Sequence, residues 1–486
     1  MSRVLSNLKP ELVWKHFEEI TKHPRPSKNE KKVVEYVLSV VKNLGLKYKQ
    51  DSFGNILVKK PATKGKENLK TVCLQGHLDM VCEKNRDVQH DFDKDPIQIY
   101  VDCDWVKAKG TTLGADNGIG VAAALAIMES NDIEHGPLEF LFTLDEETGL
   151  TGATNLSQDF LNADILLNLD SEEEGSFYIG CSGGKDTEGR FTYIKDKVPS
   201  QSLAYKISVM GLKGGHSGLD IHLGRGNAIK ILTRLLWNVQ NNFDLRISRI
   251  EGGSKRNAIP REAFAEVIIS NSKEKEFTDY VNKFTEIVKF ELGTVEPNLK
   301  ISFDKINLPE FVIDKPTQFR LLNTLYGLPH GVIKMSADLP DLVETSTNLA
   351  TINFNDEIVI GTSQRSSVET EKEDIVSMNR AIFLLANAQV KHGDGYPGWK
   401  PDINSEILKE MKKVYYNLYN KEPEVKAIHA GLECGIIKEK YPSMDMISFG
   451  PTILGAHSPD ERVQISSVEK FYNLLLETLK NIPEKK

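Results

Sequence analysis

Three apolar runs constrain this chain more than any other feature. Each is too continuous for a solvent-facing strand, and each stops at a side chain able to bind a metal or move a proton. Val72-Cys73-Leu74 leads to His77 and Asp79, Leu138 to Leu144 leads to Asp145-Glu146-Glu147, and Ile165 to Leu169 leads to Asp170. A strand apolar on both faces must be covered on both, which calls for helices packed on a buried sheet. Ile119 to Met128, rich in Ala and apolar nearly all round, has the character of such a covering helix. In sheets of this kind ligands gather at the carboxyl ends of the strands, where these polar residues fall. The expected class is α/β, with a three-layer catalytic domain built on a mixed, largely parallel sheet.

At 486 residues the chain exceeds the size of one core, so two domains are expected. Two helices open it; the second has Ser27 and Glu30 at capping-box spacing, apolar residues from Val33 to Leu44 at helical spacing, and Gly45 as its stop. Beyond about residue 185 the strands become more polar. The pattern predicts strand 204–210, helix 226–239, strand 263–270 and helix 276–291, then strand 300–303, helix 317–326, strands 348–353 and 358–361, and helix 370–388. This is a recurrence of element order without a repeat of residues. Lys391 to Gly398 reads as a linker. Strands 425–428 and 444–449 and a last helix from Ser466, with Glu469 at capping-box spacing, return to the first texture. The expected organisation is a catalytic domain in two parts, 1–187 and 393–486, interrupted by an inserted α/β lid or dimerisation domain, 188–392.

Net charge of -8 without a long basic block argues against nucleic acid or an anionic membrane as the main partner. Five scattered Cys with no C-x-x-C pair favour reduced thiols over a disulfide framework. No apolar h-region follows Met1 and no stretch reaches membrane-spanning length, so a cytoplasmic location is expected.

Thr112-Leu113-Gly114-Ala115-Asp116-Asn117-Gly118-Ile119-Gly120 places an Asp just before a helix, among glycines that let backbone approach another group closely. Asp116 also suits an N-cap, Glu146 and Glu147 a solvated strand end, Asp170 a turn, and His457 a hydrogen-bonding loop. Taken together with His77 they supply two His and three carboxylates, with one Glu and one Asp to spare. Nitrogen and oxygen donors without thiolates suit zinc, or less often manganese or cobalt, and two ions sharing one carboxylate need about this many ligands.

H-L-D, G-A-D-N-G-I-G, D-E-E-T-G, L-N-L-D, G-G-H-S-G and the late G-A-H-S resemble, in order and along nearly the whole chain, the dinuclear zinc exopeptidases related to aminoacylase and carnosinase. The resemblance implies two Zn2+ per chain, with Mn2+ or Co2+ as substitutes. Asp116 would bridge them, His77 and Asp170 would bind one, and Glu147 and His457 the other. It implies Glu146 as general base for a water shared by the metals, Asp79 as the residue holding the His77 ring, and His216 as an oxyanion donor acting within its own chain or across a homodimer formed through the lid domain.

The implied reaction is hydrolysis of unblocked dipeptides, including those ending in His such as β-alanyl-histidine. A dipeptidase must hold both substrate termini: Arg365 suits the carboxylate, Asn257 a further hydrogen bond, and Glu433 the free amine. His429 is as suited to a structural role, and Cys434 reads as packing. The rival readings are an N-acyl amino acid amidohydrolase, an aminopeptidase on longer peptides, and a non-catalytic peptide-binding protein.

Overall fold

The computed structural model describes residues 3–485. They divide into two compact units. The first comprises the chain up to Cys181, Trp399–Ala427 and the chain from Leu432 onward; the second comprises Ser182–Gly398 and Ile428–Gly431. Among the described residues no helix is long and apolar enough to cross a membrane.

The first unit is built on an eight-stranded sheet in the order Lys47–Gln50, Ile56–Lys60, Leu138–Thr143, Val72–His77, Ile165–Asn168, Asp445–Ser448, Ser176–Cys181, Glu424–Ile428. Its four central strands, Leu138–Thr143 to Asp445–Ser448, run parallel, while Lys47–Gln50, Ile56–Lys60 and Ser176–Cys181 pair antiparallel to their neighbours. The three apolar runs therefore lie side by side, and their carboxyl ends open on one edge. Every residue of Val72–His77, Leu138–Thr143 and Ile165–Asn168 is buried. Helix Ala115–Glu129 packs on Val72–His77 and buries all but two of its residues, as its Ala-rich sequence requires. The α/β class with a mixed sheet is what the first unit forms, and four of its eight strands pair parallel with one another.

The second unit holds a nine-stranded antiparallel sheet under four helices, Ala228–Phe243, Glu274–Leu292, Lys315–Gly327 and Glu369–Leu385, around one apolar cluster that includes Leu232, Leu236, Phe277, Leu321 and Phe383. Its sheet consists of two halves. In one, the strands Ser202–Met210, Arg246–Gly252, Ala263–Ser270 and Lys300–Ile306 stand in the order fourth, first, third, second. In the other, Gly183–Phe191, Val343–Phe354, Ile358–Ser366 and Gln389–His392 stand in the same order. The halves meet at their second strands through the pair Gly252 and Ile352. The recurrence of element order is therefore real, but its second copy begins at Gly183–Phe191. Lys300–Ile306, expected to open that copy, closes the first one by pairing with Ser202–Met210. Lys391 and His392, expected in a linker, end the last strand of the second half.

Both expected capping boxes are absent. Helix Lys31–Asn43 and helix Ile465–Lys480 begin without a side-chain cap. Ser466 Oγ donates to Asp104 instead, at 2.5 Å. Ser27 donates to Asp79 at 2.7 Å, while Glu30 accepts from the backbone N–H groups of Lys28 and Asp145. A fully buried carboxylate such as Asp79 has more to lose from a missing donor than a solvent-reachable helix end, so Ser27 is drawn to it.

Candidate metal centre

The carboxyl ends of three adjacent strands deliver His77, the Glu146-Glu147 pair and Asp170. Asp116 arrives from the start of helix Ala115–Glu129, where the backbone leaves helical values at Asp116 and Asn117. His457 arrives from the turn between Ile453–Leu454 and Arg462–Gln464, with φ of 61°. Asn117 holds the departure in place by donating to the Leu169 carbonyl at 2.6 Å. Gly120 leaves the room, since a Cβ there would lie 2.4 Å from the same carbonyl oxygen.

Asp116 faces both imidazoles with different oxygens: Oδ1 is 3.1 Å from His77 Nε2 and Oδ2 is 3.2 Å from His457 Nε2. His77 Nε2 also lies 3.3 Å from Asp170 Oδ1, and His457 Nε2 lies 3.1 Å from Glu147 Oε2. Two groups of potential ligand atoms result, His77, Asp116 and Asp170, and Asp116, Glu147 and His457. Each imidazole nitrogen thus faces two carboxylate oxygens, more than its single N–H can serve. Donors bonded at tetrahedral angles to one zinc-sized ion stand about 3.3 Å apart, close to these spacings. Asp170 Oδ1 and Glu147 Oε1 are buried without a hydrogen-bond partner. A donor set of imidazole nitrogen and carboxylate oxygen, with buried acceptors still unsatisfied, fits a pair of divalent cations.

Asp79 is fully buried and stands 3.3 Å from His77 Nδ1. It accepts from the backbone N–H of Glu146 at 3.0 Å and of Glu147 at 3.1 Å. Burial works against its charge, but the His77 ring, these N–H groups and Ser27 outweigh it and hold the carboxyl well below its ordinary range. Glu146 goes the other way. Burial pushes its carboxyl well above the ordinary range, and Asp170, Glu433 and Glu147 add to that against the His77 ring.

Glu433 opens helix Glu433–Lys440 and is completely buried. Its Oε2 accepts from Gln75 Nε2 at 2.6 Å and Thr143 Oγ at 2.7 Å, while Oε1 has no hydrogen-bond partner. Burial raises its carboxyl to about 7. The first unit therefore brings together His77, Asp79, Asp116, Glu146, Glu147, Asp170, Glu433 and His457.

The other three predicted residues belong to the second unit. His216 is half-buried, and its Nδ1 accepts from the N–H groups of Gly218 and Leu219, which places the ring proton on Nε2. Asn257 is exposed and its carbonyl accepts from Ser217 N–H, while His216 pairs with Ala258. Arg365 is buried and donates to the Tyr396 hydroxyl at 2.8 Å. Its positive charge, after burial itself, lowers the His216 pKa. His429 is buried between Ser182 and Ser346, at 2.6 and 2.7 Å, as a structural residue would be. Cys434 is buried and its thiol is pushed far up by burial, in keeping with packing.

Four residues that bond the groups of the site went unseen in the sequence: Gln75 and Thr143, which donate to Glu433, Arg25, which donates to the Asp79 carbonyl, and Glu461, which accepts from the Asp116 N–H. Gln75 and Thr143 sit inside continuously buried strands, where a single polar residue carries no pattern of its own. Glu461 follows His457 by four residues, a nearness that carried no signal of its own.

A buried sheet with paired imidazoles and carboxylates at its carboxyl edge defines a metal-dependent hydrolase. The chain belongs to peptidase family M20/M25/M40, which it matches over residues 73–481. It is 46% identical over 482 residues to the cytosol non-specific dipeptidase of Escherichia coli, with 99% of each chain covered. The crystal structure of aminoacylhistidine dipeptidase from Vibrio alginolyticus matches it with a TM-score of 0.94 and 44% identity, covering 99% of both chains. An aminopeptidase from Bacillus cereus, at TM-score 0.56 and 15% identity over 98% of this chain and 99% of its own, shares the fold.

Proposed function

We infer that the protein is a metallopeptidase that hydrolyses unblocked dipeptides, including Xaa-His dipeptides such as β-alanyl-histidine. The observation that carries this reading is the division of Asp116, one oxygen toward each of two imidazoles that each face a further acid. Identity along nearly the full length to dipeptidases supports the substrate class.

In this reading His77, Asp116 and Asp170 hold one ion and Asp116, Glu147 and His457 the other, with zinc the metal best suited to the donors and manganese or cobalt able to substitute. The bound ions would supply Lewis acidity, polarising a peptide carbonyl and lowering the pKa of water. Glu146 takes a proton from the attacking water and returns it to the leaving amine. Asp79 orients the His77 ring and, through the N–H groups of Glu146 and Glu147, ties that ring to the backbone of the base.

Glu433 would receive the substrate amine on its free Oε1, Arg365 the carboxylate, Asn257 a further polar group, and His216 Nε2–H the developing oxyanion. The second unit is read as an inserted lid through which two chains associate, and the enzyme as cytoplasmic, like the relative named for the cytosol.

Turnover of β-alanyl-histidine, alanyl-histidine, a tripeptide and an N-acetyl amino acid tests the substrate class. The two dipeptides are expected to be cleaved. Cleavage of the acetylated substrate alone would make the enzyme an acylase. Glu146→Gln is expected to keep its metal and lose 10²- to 10⁴-fold in kcat; unchanged turnover would remove Glu146 from the role of base.

A further inference from the structure

Two side chains of opposite charge, Arg25 and Glu461, lie buried against the loops that carry the proposed ligands, at 3% exposure each. Both are engaged by backbone. Arg25 donates to the carbonyls of Leu78 at 3.0 Å, of Asp79 and of Gly114. Glu461 accepts from four successive N–H groups: Leu113 at 2.7 Å, Gly114 at 2.9 Å, Ala115 at 2.7 Å and Asp116 at 3.3 Å.

Burying a charge costs several kcal/mol unless hydrogen bonds satisfy it, so both are held where backbone supplies those bonds. The glycines of the G-A-D-N-G segment make this possible. A Cβ on Gly114 would lie 2.5 Å from Arg25 Nη2, and one on Gly118 would lie 2.8 Å from it.

The grips have different ends. Arg25 joins the segment just after His77 to the residue two before Asp116. Glu461 joins the Asp116 loop to the turn that carries His457. We propose that Arg25 and Glu461 are positioning residues that fix Asp116 against His77 on one side and against His457 on the other, each serving one of the two ion sites. This rests on the two-ion reading above. It predicts that the sites can be weakened separately. Loss of Glu461 acts on the ion held by Asp116, Glu147 and His457, and loss of Arg25 on the ion held by His77, Asp116 and Asp170.

The test is titration of the full-length apo-protein with Co2+ in competition with a chromophoric chelator. Paramagnetically shifted imidazole resonances, assigned against His457→Gln, show which site fills, and the unfolding midpoint of each apo-protein is recorded alongside. Wild type is expected to take two ions. Glu461→Gln, which turns N–H donors toward backbone donors, is expected to weaken the His457 site ten- to a hundredfold and keep the His77 site. Arg25→Lys is expected to do the reverse.

Fewer than two ions in wild type would overturn the two-ion reading itself. Two ions in wild type with both affinities unchanged in the variants, or both reduced in equal ratio, would overturn the clamp alone. So would a lowered apo unfolding midpoint with intact cobalt affinities. Should either charge variant fail to fold, Gly118→Ala intrudes on Arg25 without altering a charge or an N–H group that Glu461 accepts from. It is expected to weaken the His77 site, and an unchanged His77 site would overturn the proposal.

Discussion

Asp79 shows how one buried carboxylate acquires its role from its neighbours. With the His77 ring on one side and three donors from Ser27, Glu146 and Glu147 on the other, it has no spare capacity to serve as a metal ligand. Asp79→Asn would present an amide N–H₂ to groups that are themselves donors, and metal affinity measured by chelator competition is expected to fall ten- to a hundredfold. The spacing His-x-Asp made the pair visible in the sequence. The partners of Asp79 were not, because Ser27 looked like a helix cap. Away from the site, His16 is buried between Tyr36 at 2.7 Å and Glu129 at 2.9 Å, and burial lowers its pKa from 6.5 to about 4, with Glu129 opposing. Above pH 6.5 the ring is neutral folded and unfolded, and the stability is fully present. As pH falls from 6.5 to 4 the unfolded chain binds a proton that the folded chain does not, so stability drops by up to about 3 kcal/mol. Urea midpoints between pH 7 and pH 4 are expected to decline less steeply in His16→Asn than in wild type.

At the scale of elements, apolar continuity identified the central strands and the Ala-rich helix because burial on both faces is a local requirement written into consecutive residues. In the second unit the pattern located five of the nine strands of the large sheet and missed Gly183–Phe191, Arg246–Gly252, Gly331–Met335 and Gln389–His392. Pairing was less legible: Lys300–Ile306 joins the earlier half, and Gly183–Phe191 joins the later one. Strand partners are chosen by closure of the whole sheet, which no window of sequence contains. Gly189 marks a tight fit in that sheet. A Cβ there would lie 2.1 Å from the Phe383 ring, which is fully buried in the core of the second unit. Gly189→Ala is expected to destabilise that unit by about 1–3 kcal/mol. Metal stoichiometry should be unaffected, since every proposed ligand lies in the first unit. Calorimetry and metal analysis on one preparation check both.

Over the whole molecule, two compact units with separate sheets give unfolding two parts. Ions bound by the folded first unit stabilise that part by mass action. Stripping metal with a chelator is therefore expected to lower the transition of the first unit and leave that of the second in place. A uniform shift of both would show that they unfold as one. The sequence by itself indicated the α/β class and placed His77, Glu147 and Asp170 beside one another, because each follows from short-range pattern: an apolar run, then a polar side chain at its end; Asp116 and His457, which end no such run, were offered as ligands through the ordered motifs. Only the tertiary structure decided how Asp116 divides between two imidazoles and which buried charges grip its loop. Arg25 reaches Gly114 across 89 residues of chain and Glu461 reaches Leu113 across 348. Contacts over such separations leave no periodicity, since they form only once the sheet has brought the loops to one edge.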